Sequence, residues 1–208
     1  NLAVETRLEF PRNWGLGSSS TLIHCISKWA NIDGYTLLQN SIGGSGYDVA
    51  CAAHDTPILY QLKDKQPETI VANWKPLFSD KVYFAHLGKK QSSPDAIKNY
   101  RQLLKDKSHG VNELTRITEA VLKCTDLKLF EELLNEHEML VGGELTQMKL
   151  RDTLFADYWG SVKSLGAWGG DFVLLTNERS EEELKEYLST KNITTMFKWN
   201  EIIFGNES

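Results

Sequence analysis

The sequence predicts an α+β protein built from two lobes, and three observations support this prediction. Stretches with apolar residues at every second position alternate with stretches at helical spacing, so both strands and helices are expected. Two loops rich in glycine and serine interrupt the first part of the 208-residue chain. Near residues 78–81 the pattern changes from mainly strand-like to mainly helical, which places the predicted lobes at 1–78 and 79–208.

Composition and charge exclude several classes of protein. The 23 Lys and Arg residues stand against 28 Asp and Glu, and the net charge of −5 gives no basic surface for nucleic acid or an anionic membrane. No apolar run reaches the roughly 18 residues that a membrane-spanning helix needs. Cys25, Cys51 and Cys124 lie in apolar stretches without metal-binding spacing, so we expect buried free thiols in a reducing cytoplasm. Oligomeric state leaves no signal in the sequence.

The first lobe is expected to contain strands at 2–10, 58–62 and 69–74, because apolar residues alternate there or form short runs. A short alanine-rich helix is expected to stop before Pro57. A longer helix follows the first glycine loop, where five apolar residues recur at helical spacing: Leu22, Ile23, Ile26, Trp29 and Ala30.

The second lobe is expected to open with a strand at 81–87 and to continue mainly as helices. Ser180, followed three residues later by Glu183, is a capping-box pattern for a helix that ends near Leu188. The remaining patterns predict helices at 97–104, 111–121, 127–134 and 144–155, and strands at 171–176 and 193–199.

The loop at residues 14–20 has the composition of an anion-binding site. It joins a predicted strand to a predicted helix, and a helix N-terminus presents unpaired N–H groups and a partial positive charge. Gly15 and Gly17 would let the backbone approach a phosphate, and the three serines at 18–20 could bind it or help to ligate magnesium. The loop lacks the lysine of a Walker motif, and Ser20 replaces the third glycine of the dinucleotide fingerprint. An ordinary glycine turn with a serine cap is the alternative.

Two further stretches combine glycine with charged residues. Asp48 follows a glycine turn at the start of a short helix, where it could be a helix cap or a general base for a substrate hydroxyl, and the helix start should keep it ionised. Residues 163–171 contain Gly166, Gly169 and Gly170, and three glycines in five positions weakly favour a loop that faces a ligand over a plain hairpin turn.

Together, and in this order, the three motifs resemble those of the GHMP kinases, the family of galactokinase, homoserine kinase, mevalonate kinase and phosphomevalonate kinase. Residues 10–21 look like the P-x-x-x-G-L-G-S-S-A-A phosphate loop of that family. The stretch 44–50, GSGYDVA, is similar to the segment that carries the catalytic Asp in the mevalonate and phosphomevalonate branches. Residues 163–171, KSLGAWGGD, resemble the third motif, which packs beside the nucleotide phosphates, although Trp168 stands where that motif has glycine.

The resemblance implies a GHMP-kinase-like fold whose second lobe has antiparallel strands with a helical insertion, and an enzyme that uses ATP and Mg²⁺. Asp48 would be the catalytic base, and Ser19 would contact the magnesium ion. The acidic magnesium ligand of some relatives has no counterpart at 35–40. The implied nucleotide-binding residues are Gly15, Leu16, Gly17, Ser18, Ser19, Ser20, Gly166, Ala167, Gly169 and Gly170.

The substrate expected from this resemblance is a small mevalonate- or phosphomevalonate-like molecule. A sugar kinase of the same fold is one alternative, and a nucleotide-binding regulator without catalytic activity is another. The first motif of the family would lie upstream of Asn1, so we expect an incomplete N-terminal lobe and a whole protein of about 300 residues.

Overall fold

The computed structural model of the chain describes residues 3–89, 109–166 and 170–203. These residues form two compact units, of which the first ends at Trp74 and the second runs from Lys75 to Ile203. The predicted boundary at 78/79 lies a few residues after this division between Trp74 and Lys75. The predicted helix at 97–104 lies outside the described residues.

The first unit contains three helices and a β-hairpin. A 3₁₀ turn at Arg12–Trp14 precedes α1 (Ser18–Ala30), α2 (Gly34–Gln39) and α3 (Tyr47–Ala52). Strands β1 (Ile58–Lys63) and β2 (Gln66–Val71) pair antiparallel, from Ile58 opposite Val71 to Lys63 opposite Gln66. Both residues of the turn between them have positive φ, which is the geometry that matches the twist of a two-residue hairpin.

The core of the first unit is small and lies between its three helices. Ile23 of α1, Leu38 of α2 and Val49 of α3 are buried and form one cluster. At Gly34 the backbone passes close to α1 and α3, because an added Cβ would lie 3.3 Å from Ser27 Oγ and 3.4 Å from Val49 Cγ1. The contact of α3 with α1 fixes the helix that carries Asp48.

The second unit is a four-stranded antiparallel sheet with helices. Strands β3 (Val82–His86), β4 (Val162–Ser164), β5 (Phe172–Thr176) and β6 (Met196–Lys198) lie in the order β4-β5-β3-β6, so β4 is at one edge of the sheet that the described residues form. The helices among its described residues are α4 (His109–Lys123), α5 (Leu127–Leu145), α6 (Glu181–Thr190) and α7 (Trp199–Ile202). Ser180 and Glu183 form the predicted capping box at the start of α6.

One large apolar cluster stabilises the second unit. Phe155, Val173, Leu175 and Leu184 have no exposed surface, and the aromatic rings of Tyr158, Trp159 and Tyr187 extend this cluster. Burial of several large side chains at about 1.5–3 kcal/mol each explains why this unit has a well-defined core. None of the described helices is long and apolar enough to cross a membrane.

Two predicted elements are wrong. Residues 3–10 form no strand, and Val4 and Leu8 are exposed, because no described strand pairs with this segment and an alternating pattern alone does not make a strand. The predicted helix at 144–155 is replaced by the end of α5 at Leu145 and a 3₁₀ turn at Leu150–Asp152. Thr146 ends α5 in the left-handed conformation, with φ of 52°.

The predicted burial of the thiols is also wrong for two of the three cysteines. Cys124 is buried, but Cys25 and Cys51 are exposed, and all three are free thiols. Cys25 lies on α1, whose apolar residues are mostly exposed. Of the five apolar residues predicted at helical spacing there, Ile23 is the buried one.

Candidate functional site

The first glycine loop adopts the backbone geometry that a phosphate loop needs. Gly15 and Gly17 have φ of 73° and 71°, a left-handed conformation that L side chains rarely adopt. Gly17 immediately precedes α1, and a Cβ added there would meet no atom within 4 Å. Glycine is therefore required at 17 for its φ angle and not because a neighbour fills the space. The backbone surface at this residue is open.

The start of α1 presents its N–H groups without a side-chain cap. No described side chain caps the helix at Gly17, and the Thr21 N–H is the first that bonds within the helix, to the Gly17 carbonyl at 2.9 Å. Ser19 is exposed, Ser18 is half-buried and Ser20 is buried. The sequence therefore folds into a 13-residue helix with free N–H groups and accessible hydroxyls at one end, an arrangement that suits an anion.

Asp48 lies in the first turn of α3, directly after a tightly packed glycine. Gly46 has φ of 85°, and a Cβ there would lie 2.9 Å from the Tyr35 ring and 3.0 Å from Tyr60 Oη. The Tyr60 hydroxyl donates a hydrogen bond to the Ser45 carbonyl. Two tyrosines thus hold the turn that positions Asp48, and only glycine fits at 46.

The Asp48 carboxylate makes no hydrogen bond or ion pair with the described residues. Although the residue is exposed, neighbouring protein removes part of the water around the carboxylate, and this desolvation raises its pKa. The sequence predicts that the helix start favours the ionised form, whereas the net effect of the environment opposes it. A higher pKa makes the carboxylate a stronger proton acceptor.

The third glycine motif lies in the second unit, between β4 and β5. Gly166 has φ of 69°, and a Cβ there would lie 3.5 Å from a carboxylate oxygen of Asp171. Asp171 is buried with φ of 54°, and its N–H donates to the Lys89 carbonyl at 3.0 Å. Gly170 is buried, and Ala167, Trp168 and Gly169 lie outside the described residues.

A polar cluster beside this motif was not predicted. Glu138 of α5 is buried, and its carboxylate lies 3.4 Å from Lys163 Nζ and accepts the Ser164 N–H at 3.1 Å. Lys163 Nζ also lies 3.1 Å from His137 Nδ1. Burial, followed by the Lys163 charge, lowers the pKa of His137 to about 4, and burial lowers the pKa of Lys163 as well.

The face of α5 that carries Glu138 has two further polar residues, which lie before Glu138 in the chain. Glu131 accepts a hydrogen bond from the Thr176 hydroxyl, and the Asn135 side chain lies 3.3 Å from the Ser161 hydroxyl. Glu131, Asn135 and Glu138 recur at helical spacing, which is the signal that could have identified this face. Sequence reasoning missed it because polar residues at this spacing are ordinarily assigned to solvent.

No group of three or more His, Cys, Asp or Glu residues in the described parts of the chain could hold a metal ion. Magnesium in phosphoryl-transfer sites is held by one or two protein oxygens together with substrate phosphates and water. The exposed Ser19 hydroxyl fits such a role.

Comparisons with known proteins identify the fold. No family model matches the sequence, and no curated protein matches it. Among solved structures, L. major mevalonate kinase in complex with R-mevalonate has a TM-score of 0.63 at 14% sequence identity, over 88% of this chain and 64% of the kinase. A Lin0012 protein from Listeria innocua has a TM-score of 0.66 at 16% identity, over 88% of this chain and 66% of that protein.

The chain therefore has a GHMP-kinase-like α+β fold, as the sequence predicts, and it spans about two thirds of the length of these two structures. The roles of Asp48 and of the glycine-loop residues stay predictions, because similarity at this level of identity concerns the fold.

Proposed function

We propose that this protein is an ATP- and Mg²⁺-dependent kinase of the GHMP type, which transfers the γ-phosphoryl group of ATP to a mevalonate- or phosphomevalonate-like substrate. The observation that carries the proposal is the open N-terminus of α1 at Gly17, in a fold similar to that of a mevalonate kinase. A helix end with free N–H groups and accessible hydroxyls is suited to a nucleotide phosphate.

The proposed nucleotide contacts come from the first glycine motif. Residues 15–20 would bind phosphate oxygens through the N–H groups at the start of α1 and through the hydroxyls of Ser18 and Ser19. Ser20 would contribute only its backbone N–H, because its side chain is buried. The nucleotide contacts that the family resemblance implies for Gly166, Ala167, Gly169 and Gly170 stay predictions. Ser19 would contact Mg²⁺, which supplies charge neutralisation when bound.

Asp48 is proposed as the general base for the acceptor hydroxyl. Its carboxylate is exposed and uses none of its acceptor capacity within the described residues, so a substrate O–H can donate to it. The raised pKa favours proton abstraction, since a base works best when its pKa approaches the working pH. Catalysis would otherwise depend on positioning the acceptor and on stabilising the charge of the transferred phosphoryl group.

The experiment that tests this proposal measures ADP release from Mg-ATP in the presence of mevalonate, phosphomevalonate or galactose. The variant is Asp48→Asn, which keeps the size of the side chain and removes the base, and the control is Asp55→Asn at an exposed position of the same unit. We expect turnover with a mevalonate-type acceptor, a loss of about 10²–10⁴-fold in Asp48→Asn, and no change in the control.

The other outcomes separate the alternatives. Turnover with galactose alone would make the protein a sugar kinase of the same fold. Saturable Mg-ATP binding without turnover on any acceptor would favour a regulatory nucleotide-binding protein. Normal turnover by Asp48→Asn would show that Asp48 is not the base.

A further inference from the structure

The glycine turn that precedes Asp48 is held by side chains from two other elements of the first unit. Gly44 and Gly46 have φ of 120° and 85°, and glycine loses more conformational freedom on folding than any other residue. The turn leads directly into α3, because the Ala50 N–H donates to the Gly46 carbonyl at 2.9 Å. A contact that fixes this turn therefore also fixes the start of the helix that carries Asp48.

The side chain of Tyr60, on β1, contacts the three residues that come directly before Asp48. Its hydroxyl donates a hydrogen bond to the Ser45 carbonyl, and a Cβ added at Gly46 would lie 3.0 Å from the same hydroxyl oxygen. Its ring packs edge-on against the Tyr47 ring, with 6.0 Å between the centroids. Tyr60 is itself half-buried, so the hairpin holds it against the turn.

Gln39, the last residue of α2, binds the same turn. Its side-chain amide donates to the Gly44 carbonyl at 2.8 Å. The carbonyls of Gly44 and Ser45 thus each accept a side-chain donor that does not belong to the turn. A neutral hydrogen bond contributes only modestly to stability, and Gln39 is exposed. The effect on position is more important, because a displacement of about 1 Å at a reacting group can reduce the rate about 10²-fold.

We propose that Gln39 and Tyr60 are positioning residues for Asp48. They act through the carbonyls of Gly44 and Ser45, which they hold in place before the start of α3. This inference rests on the proposed function, because it takes Asp48 as the base that receives the proton of the acceptor hydroxyl. Neither side chain needs to touch the acceptor or the nucleotide.

The test removes one donor at a time and keeps the rest of each side chain. Tyr60→Phe deletes the hydroxyl and keeps the ring, and Gln39→Met deletes the amide and keeps the length of the side chain. Thr69→Val is the control, since Thr69 lies opposite Tyr60 in the hairpin and this variant also removes a hydroxyl.

Three quantities are measured for each variant, and the urea unfolding midpoint verifies that it is folded. The first is the exchange rate of the Ala50 amide proton by NMR. The second is the pKa of Asp48 from the ¹³C shift of its carboxyl group. The third is the pair of constants kcat and KM for ADP release from Mg-ATP with the acceptor.

We expect the Ala50 amide to exchange about tenfold faster in Tyr60→Phe and about threefold faster in Gln39→Met, which loses an exposed hydrogen bond. The pKa of Asp48 should fall in both variants towards its ordinary value of 3.8, because a looser turn lets water return to a carboxylate whose desolvation raises that pKa. Tyr47 and Cys51, the titratable side chains beside Asp48 on α3, stay uncharged in this range because burial raises the pKa of each.

The kinetic constants should change unequally. We expect kcat to fall about tenfold in Tyr60→Phe and about threefold in Gln39→Met, because the base is displaced. The KM for Mg-ATP should stay within about twofold of the parent value in both variants, since neither residue is proposed to contact the nucleotide. Thr69→Val should match the parent in all three quantities.

Parent-like values of all three quantities in Tyr60→Phe or in Gln39→Met would overturn the role of that residue. Equal changes in Thr69→Val would overturn the proposal as well, because any loosening of the hairpin would then have the same effect. A parent chain without turnover on any acceptor would overturn the proposed function instead. In that case the Ala50 exchange rate and the pKa of Asp48 still decide whether the two side chains fix the position of Asp48.

Discussion

Gly17 and Gly160 are both required to be glycine, but for opposite reasons. A Cβ at Gly17 would meet no atom within 4 Å, and its φ of 71° is what excludes other residues. A Cβ at Gly160 would lie 2.0 Å from the Thr176 carbonyl oxygen, inside the packed second unit. The backbone at Gly17 is therefore open, whereas the backbone at Gly160 packs directly against the backbone of Thr176.

The contrast extends to the polar groups of the two units. The Asp48 carboxylate makes no hydrogen bond with the described residues, and the start of α1 lacks a side-chain cap. In the second unit the buried Glu138 has partners on β4. Unsatisfied groups on a fixed scaffold are typical of a binding site, whereas satisfied buried groups hold the scaffold.

The largest expected effect separates the two glycines. Gly160→Ala must move the backbone at Thr176, so we expect a loss of roughly 4 kcal/mol or more in the free energy of unfolding. Gly17→Ala should lose only about 1 kcal/mol of the free energy of unfolding, because its one cost is the strain of a positive φ. Urea denaturation of both variants measures this difference, and equal losses would contradict the contrast.

A comparable difference is expected for large apolar side chains. Phe155 is fully buried in the second unit, and Phe155→Ala should cost about 3–5 kcal/mol because it leaves a cavity. Trp29 of α1 is 63% exposed, so Trp29→Ala should cost no more than about 0.5 kcal/mol. Thermal and urea unfolding of the two variants measure these losses in stability. A loss at Trp29 as large as that at Phe155 would show that α1 packs more tightly than this structure indicates.

The cluster at Lys163 should make the second unit sensitive to acid. The pKa of His137 is about 4 in the folded protein against an ordinary value of 6.5, so the unfolded chain binds the proton more readily. Stability should therefore fall as the pH is lowered from 6.5 towards 4, by roughly 2 kcal/mol from this residue. His137→Gln should reduce the pH dependence of the urea midpoint in this range. Identical profiles for parent and variant would refute this assignment.

The smallest expected effect concerns Ser164. Its hydroxyl is buried and has no hydrogen-bond partner among the described residues. Ser164→Ala should therefore leave stability unchanged or raise it by up to about 1 kcal/mol, since an unsatisfied hydroxyl is removed. The backbone N–H that Glu138 accepts is retained in this variant. A clear loss of stability would indicate that the hydroxyl has a partner outside the described residues.

Elements with strong local signals could be predicted from the sequence. The capping box at Ser180 and the glycine turn before Asp48 depend on neighbouring residues, so both the α6 start and the α3 start were correct. The overall α+β class followed from the same local patterns. The first glycine loop was placed correctly at the start of α1, because Gly17 and the serines that follow are a local signal.

Features that depend on distant contacts could not be predicted. The alternating residues at 3–10 have no partner strand, and the three residues of β4 are too few for a pattern. Thr146 ends α5 in a left-handed conformation that its residue type disfavours. Glu138 is buried by its position against β4, which only the tertiary structure reveals.

The central claim is that the open start of α1 binds a nucleotide phosphate. Its most direct test is a calorimetric titration of Mg-ATP into the parent, Gly17→Val and Gly43→Val. Gly43 is a matched control, because it has φ of 67° and equally open space but lies outside residues 15–20. We expect saturable binding by the parent and by Gly43→Val, and a loss of at least about tenfold in affinity for Gly17→Val. Equal affinity in all three folded proteins, or no binding by the folded parent, would contradict the claim.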